Sequence, residues 1–152
     1  MIHEISKLKL KFEDESILVS EQTGGLLVSN DEITDLRIFG NFIEKQFETE
    51  GYYILFVTEN IMDEHLRIYL IDKAFKEIDC IEMFSLYSYS GDGLGLVKII
   101  EDQKLAFYFQ NEKHWKLTIL AKPRRYLFAL SPYCITRRNK HLWNNVYMTV
   151  TH

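Results

Sequence analysis

Tyr52-Tyr53-Ile54-Leu55-Phe56-Val57 is an unbroken apolar run that opens directly after Gly51. A short continuous run of this kind is the mark of a central strand covered on both faces, not of a half-buried edge. The segments downstream repeat the theme. Leu66 to Ile71 and Phe75 to Met83 flank Asp72-Lys73-Ala74, which reads as a hairpin turn. Leu96 to Ile100 and Leu105 to Phe109 flank Glu101-Asp102-Gln103-Lys104 in the same way. Trp115 to Ala121 and Tyr126 to Leu130 flank Lys122-Pro123-Arg124-Arg125, a third expected hairpin, and Val146 to Val150 reads as a closing strand. Glu59 to Glu64 is polar apart from Ile61 and Met62 and reads as a loop.

Upstream, Leu8, Leu10 and Phe12 alternate with Lys7, Lys9 and Lys11, so a first strand has one apolar and one basic face. Glu13-Asp14-Glu15 turns the chain, Ile17-Leu18-Val19 begins a return strand, and Thr23-Gly24-Gly25 turns it again into Leu26-Leu27-Val28. The period then changes. Ser29-Asn30-Asp31-Glu32 fits a capping box, and Ile33, Leu36, Gly40, Ile43 and Phe47 follow at helical spacing. This pattern predicts a helix near 31–48, with Gly40 costing ~1 kcal/mol inside it. The expected fold is mainly β. It is an antiparallel meander forming a sandwich or barrel-like sheet, with that one helix, in a single domain spanning 1–152.

Composition agrees. Ten Phe, nine Tyr and two Trp with two Pro favour strands over a helical bundle. A chain of 152 residues buries roughly 70% of its unfolded surface, enough for a core without staples. Cys80 and Cys134 lie far apart and read as buried reduced thiols. The N-terminus is broken by charges every two or three residues, unlike a signal peptide, and no window approaches the roughly 20 apolar residues of a membrane span. These features point to a reducing cytoplasm and away from a membrane.

Charge is distributed unevenly. Residues 1–110 hold ten Lys/Arg against twenty-one Asp/Glu, whereas residues 111–152 hold eight Lys/Arg against Glu112. An acidic body with a basic, aromatic final quarter suits an electrostatic docking surface better than an active site. The acids of interest are Glu13, Asp14, Glu15, Asp31, Glu32, Asp35, Asp63 and Glu64. A surface of this kind attracts a basic protein and steers its association, or else serves solubility. In the final quarter, Lys113, His114, Trp115, Lys116, Lys122, Arg124, Arg125, Tyr126, Tyr133, Arg137, Arg138, Lys140, His141 and Trp143 interleave cations with rings. Arg124, Arg125, Arg137, Arg138 and Lys140 make the alternative a single-stranded nucleic-acid groove, with cations for phosphate and rings for stacking. A basic sheet edge guarded against aggregation accounts for the same residues.

Motifs for catalysis are weak. Ser90-Gly91-Asp92-Gly93-Leu94-Gly95 could cradle a phosphate, but it leads from strand to strand and lacks the Gly-Lys-Ser/Thr ending. A tight turn using glycine at positive φ is the better account. Asp63-Glu64-His65 has no partner at metal-ligand spacing, so neither a metal nor a cofactor is expected. His65 and His114, with Lys116 beside them, are the pair from which a two-imidazole phosphodiester cleaver would have to be built. No Gly-x-Ser-x-Gly or comparable nucleophile motif is present, and no catalytic residue is assigned.

The stretch FVTENIMDEHLRIYLIDKAFKEIDCIEMFSLYSYSGDG (residues 56–93), joined to the acidic first third, resembles the small bacterial immunity proteins of contact-dependent inhibition and other polymorphic toxin systems. The likeness is one of size, acidity and richness in Phe and Tyr. It implies a non-enzymatic cytoplasmic protein that binds one toxin domain, a basic nuclease, in a 1:1 complex and neutralises it. No functional residue carries over from it, and the basic final quarter departs from a purely acidic decoy.

Overall fold

The computed structural model describes residues 1–13, 24–59, 65–84, 93–109, 114–125, 135–137 and 145–152. Of these, 72% are in strands and none is helical. A six-stranded antiparallel sheet runs in the order β1 (His3–Glu4), β5 (Phe42–Glu48), β6 (Tyr52–Thr58), β7 (His65–Asp72), β8 (Glu77–Phe84) and β12 (Ile135–Arg137). A four-stranded sheet runs β13 (Asn145–Thr151), β11 (His114–Arg125), β10 (Lys104–Tyr108) and β9 (Lys98–Glu101). A three-stranded sheet runs β2 (Leu8–Lys11), β3 (Gly25–Ser29) and β4 (Glu32–Ile38).

Alternation along β6 explains how the three sheets stack. Successive side chains of a strand point to opposite faces. Ile54 and Phe56 enter a cluster with Leu105, Phe107, Trp115, Leu117 and Met148 of the four-stranded sheet. Tyr53, Leu55 and Val57 enter a second cluster with Leu8, Leu27 and Ile38 of the three-stranded sheet. The six-stranded sheet is therefore the middle layer, and Tyr53 through Val57 are all buried. This is why the run reads as continuously apolar: neither face meets water. Phe56 packs edge-on to Phe47 and to Phe107, with ring centroids at 6.1 and 5.3 Å. Aromatic pairs at such geometry add to the area they remove from water.

The hairpins across Asp72-Lys73-Ala74 and across Asp102-Gln103 form as expected. In the first, Asp72 Oδ1 accepts from the backbone N–H of Ala74 and Lys76, both at 2.9 Å. Leu8 is buried and Lys9 and Lys11 are exposed, as the alternation predicts.

Two expectations are corrected. Residues 31–48 are not a helix: they form β4 and β5, and Ser29-Asn30-Asp31-Glu32 is the two-residue hairpin joining β3 to β4. Asn30 and Asp31 take φ of 50° and 64°, and positive φ at both central positions is the hairpin turn that matches strand twist. Asn and Asp tolerate that region because their short polar side chains bond locally. Gly40, at φ 114°, then turns the chain from β4 into β5. The helical spacing was coincidental: Ile33 is 52% exposed, whereas Ile38 and Phe47 are buried. Second, the chain does not turn at Lys122-Pro123-Arg124-Arg125. Strand β11 continues to Arg125 and pairs with β13, with its register shifted between Ile119 and Arg124. Pro123 sits inside that irregularity, where no ladder bond from its nitrogen is required. The expected strands at Ile17–Val19 and Tyr126–Leu130, and the loop residues 60–64, lie outside the described residues.

Candidate functional site

The acidic residues of the first third meet two fates. Four of the eight described, Glu4, Glu13, Glu44 and Glu48, are engaged nearby. Glu13 accepts from Arg37 at 2.9 Å, Glu4 pairs with Lys45 at 2.6 Å, and Glu48 takes Lys7 and Lys73 at 2.9 and 2.6 Å. The β3–β4 hairpin is different. Asp31, Glu32 and Asp35 are all exposed, and the nearest cation to Asp31 is Lys9 at 3.8 Å. Between them Ile33 stands half out of the surface. β4 is an edge strand of its sheet. An irregularity in its pairing with β3 is held by Thr34, whose hydroxyl donates to the Leu27 carbonyl at 2.9 Å and accepts from Leu36 N–H at 3.3 Å. Local geometry thus turns Asp35 outward while Leu36 packs against the core. Of the other acids expected to dock a partner, Asp14, Glu15, Asp63 and Glu64 lie outside the described residues.

The opposite outer layer is basic. Leu105, Phe107, Trp115, Leu117 and Met148 point inward, so their alternating neighbours face solvent. Lys98, Ala106, Lys116 and Thr151 form one row straight across the four strands, and Glu101, Lys104, Thr118 and Thr149 form the next. Tyr108 and His114 stand opposite each other in a third row, ring centroids 4.2 Å apart. Lys122, Arg124 and Arg125 are exposed on the far end of β11. Within the described parts of 93–125 and 145–152, six Lys/Arg stand against Glu101 and Asp102, and Glu101 is itself bonded to Lys104 at 2.6 Å.

Arg137, expected in the nucleic-acid set, is used internally: its guanidinium holds Asp79 at 2.6 Å and donates to the Met148 carbonyl. Arg138 and Lys140 lie outside the described residues. Lys98, Lys104 and Tyr108 were missed because they fall within the stretch that is acidic in total. The signal that finds them is the alternation of Lys104, Ala106 and Tyr108 with Leu105 and Phe107.

Two charge clusters on the middle sheet have perturbed ionisation. Glu48 has its pKa lowered to about 2, first by the hydrogen bond from Lys73 and then by that from Lys7. The same bond to Glu48 holds the Lys7 ammonium above its ordinary value. Both ammoniums also lie over the Tyr53 ring, Lys73 at 3.9 Å and Lys7 at 5.2 Å from its centroid, and the Phe75 ring stacks on it. Arg67 lies between Glu59 and Glu82. Burial opposes its charge, but the hydrogen bonds with the two carboxylates outweigh that, and its pKa is raised. One cluster sets a single carboxylate between two ammoniums and the other a single guanidinium between two carboxylates; structural ion-pair networks of this kind perturb pKa without implying chemistry.

His65 and His114 do not converge. Leu66, Ile68 and Leu70 face the four-stranded sheet, so His65 and Arg67 lie on the other face of β7, where His65 packs edge-on to Phe84. His114 faces outward from the four-stranded sheet. Two sheets and the core they share therefore separate the imidazoles. Beside Glu59, His65 Nε2 and Asn41 Oδ1 are buried with no hydrogen-bond partner among the described residues. His65 Nδ1 is 3.8 Å from the Glu59 carboxylate, and Asn41 Nδ2 donates to the Glu59 carbonyl at 2.9 Å. No group of three or more His, Cys, Asp or Glu placed to hold a metal occurs among the described residues. Cys80 is buried in the second cluster, and Cys134 lies outside the described residues. Of the glycine-rich turn, Gly95 donates its N–H to the Tyr108 carbonyl at 2.9 Å, so that amide is already used within the sheet. Among the described residues, no helix is long and apolar enough to cross a membrane. Comparison with protein-family models, curated proteins and solved structures returns no match.

Proposed function

We propose that this chain is a non-enzymatic inhibitor of the immunity type, which binds a basic toxin domain of the nuclease class in a 1:1 complex and blocks it. The observation that carries the reading is the β3–β4 hairpin: Asp31, Glu32 and Asp35 exposed around a half-exposed Ile33, at an edge strand of an outer layer. A nuclease domain presents cations where it holds phosphate. Asp31 has Lys9 at 3.8 Å, whereas Glu32 and Asp35 have no ion pair among the described residues; exposed carboxylates of this kind attract that surface over a Debye length of about 8–10 Å and raise the association rate. Ile33 supplies an apolar contact at the centre of the charged rim, the arrangement in which interface anchors are found. The acids already bonded to Arg37, Lys45, Lys7 and Lys73 contribute less to such a field, because their charge is compensated nearby.

The test is affinity purification from the native host at low salt, using the full chain and a variant carrying Asp31→Lys, Glu32→Lys and Asp35→Lys. A stoichiometric basic protein held by the wild type and lost from the variant supports the reading, and restored growth of cells expressing that partner completes it. Equal retention by the variant removes the hairpin as the docking face. Catalytic turnover by the purified chain overturns the non-enzymatic assignment.

A further inference from the structure

We infer that the solvent face of the four-stranded sheet binds single-stranded nucleic acid. This surface lies on the outer layer opposite the acidic hairpin and does not depend on the role proposed for that hairpin. The row Lys98–Ala106–Lys116–Thr151 places two exposed ammoniums two strands apart, with the small Ala106 between them. Strand spacing puts their backbones about 10 Å apart, so the floor between is shallow and flanked by cations. One row along, Tyr108 and His114 bring their rings together at 4.2 Å on the same face. A backbone passing over the two lysines can thus set a base against this ring pair. Single strands are held in this way, by cations along the phosphates and rings under the bases.

Charge selects the partner. The face and its extension into Arg125, opposite the exposed Asn145, are cationic, and Glu101, the acid in its rows, already bonds Lys104. Thr118, Thr149 and Thr151 add hydroxyls that donate to phosphate or sugar oxygens. A duplex keeps its bases stacked inside and offers the ring pair nothing, so the rings favour an unpaired strand.

The experiment is fluorescence anisotropy of a labelled 12-nucleotide single strand titrated with the full chain, from ~50 mM salt upward. Contacts from Lys98, Lys116 and Arg125 give a slope of log K against log salt of about −2, at about 0.7 per phosphate. Lys98→Gln with Lys116→Gln should flatten the slope by about 1.4. His114→Ala or Tyr108→Ala should weaken binding about tenfold through lost stacking, while Tyr108→Phe keeps it. Because Tyr108 is half-buried, its variants are read beside their melting temperatures, and the exposed His114 and lysine variants carry the decision. Binding that survives the Asp31, Glu32 and Asp35 reversals separates this site from the docking hairpin. No binding at ~50 mM salt overturns the inference, since electrostatic binding is strongest there. Equal affinity for an abasic strand or for heparin overturns it in favour of generic polyanion attraction, and tighter binding of duplex overturns the single-strand assignment.

Discussion

Asp79 of β8 and Arg137 of β12 form a charge pair that also locks the four-stranded sheet to the middle layer. One guanidinium nitrogen of Arg137 reaches both carboxylate oxygens at 2.6 Å. Asp79 Oδ2 also accepts the backbone N–H groups of Tyr147 and Met148, at 2.9 and 3.0 Å, and Arg137 returns a hydrogen bond to the Met148 carbonyl. Asp79 is 6% exposed, so its charge is tolerable only because every oxygen is bonded.

Removing one partner leaves the other charge stranded, and Arg137→Met is expected to cost about 3–5 kcal/mol. Asp79→Asn should be similarly costly, because it strands the guanidinium. Urea unfolding of the single variants and of Asp79→Leu/Arg137→Met checks this. The double variant should recover part of the loss, as apolar replacement of a buried pair often does.

The pH dependence follows from Glu48. Its folded pKa, about 2, lies below the ordinary carboxylate value, so its contribution to stability is fully present above about pH 4.5. That contribution is lost as pH falls from there toward 2, when protonation breaks the bonds to Lys73 and Lys7. Glu48→Gln should therefore melt lower than wild type at pH 7, and the two curves should approach each other as the pH is brought down toward 2. Parallel curves across that range would mean the network contributes nothing.

Asp31→Gly discriminates between the two readings of residues 29–32. At φ 64°, glycine relieves a left-handed conformation, so the hairpin should gain about 0.5–1 kcal/mol. In a helix the same change would cost about 0.5 kcal/mol or leave stability unchanged. The sign of the change in melting temperature decides.

Gly40→Ala should destabilise by about 2–3 kcal/mol. Its φ is 114°, and an added Cβ would stand 2.5 Å from Val57 Cγ1 and 3.0 Å from the Thr58 carbonyl oxygen. Thermal denaturation measures it directly.

Ile33→Ser should leave stability within about 0.5 kcal/mol, as for an exposed site away from special features. If Ile33 is a docking anchor, the same change should weaken the complex tenfold or more, which calorimetry with the captured partner would read.

Sequence alone determined the class of fold and the place of its centre. The run Tyr52–Val57 identified a strand buried on both faces, and the alternation at Leu8–Lys11 and the turn at Asp72–Ala74 were equally legible, because these features rest on neighbours in the chain. Ser29–Glu32 was not legible, since a polar tetrapeptide suits a helix cap and a two-residue hairpin alike, and strand pairing chose between them. The continuation of β11 through Pro123 was decided by β13, about twenty residues away. Charge shows the same division. The surplus of acid and base is plain in the chain, but which charges remain at the surface depends on partners such as Asp79 and Arg137, separated by 58 positions, or Glu13 and Arg37, separated by 24. The basic face likewise exists only because antiparallel pairing sets Lys98 and Lys116 on either side of Ala106. Period and turn chemistry act over a few residues, whereas ion pairing and surface assembly act through space.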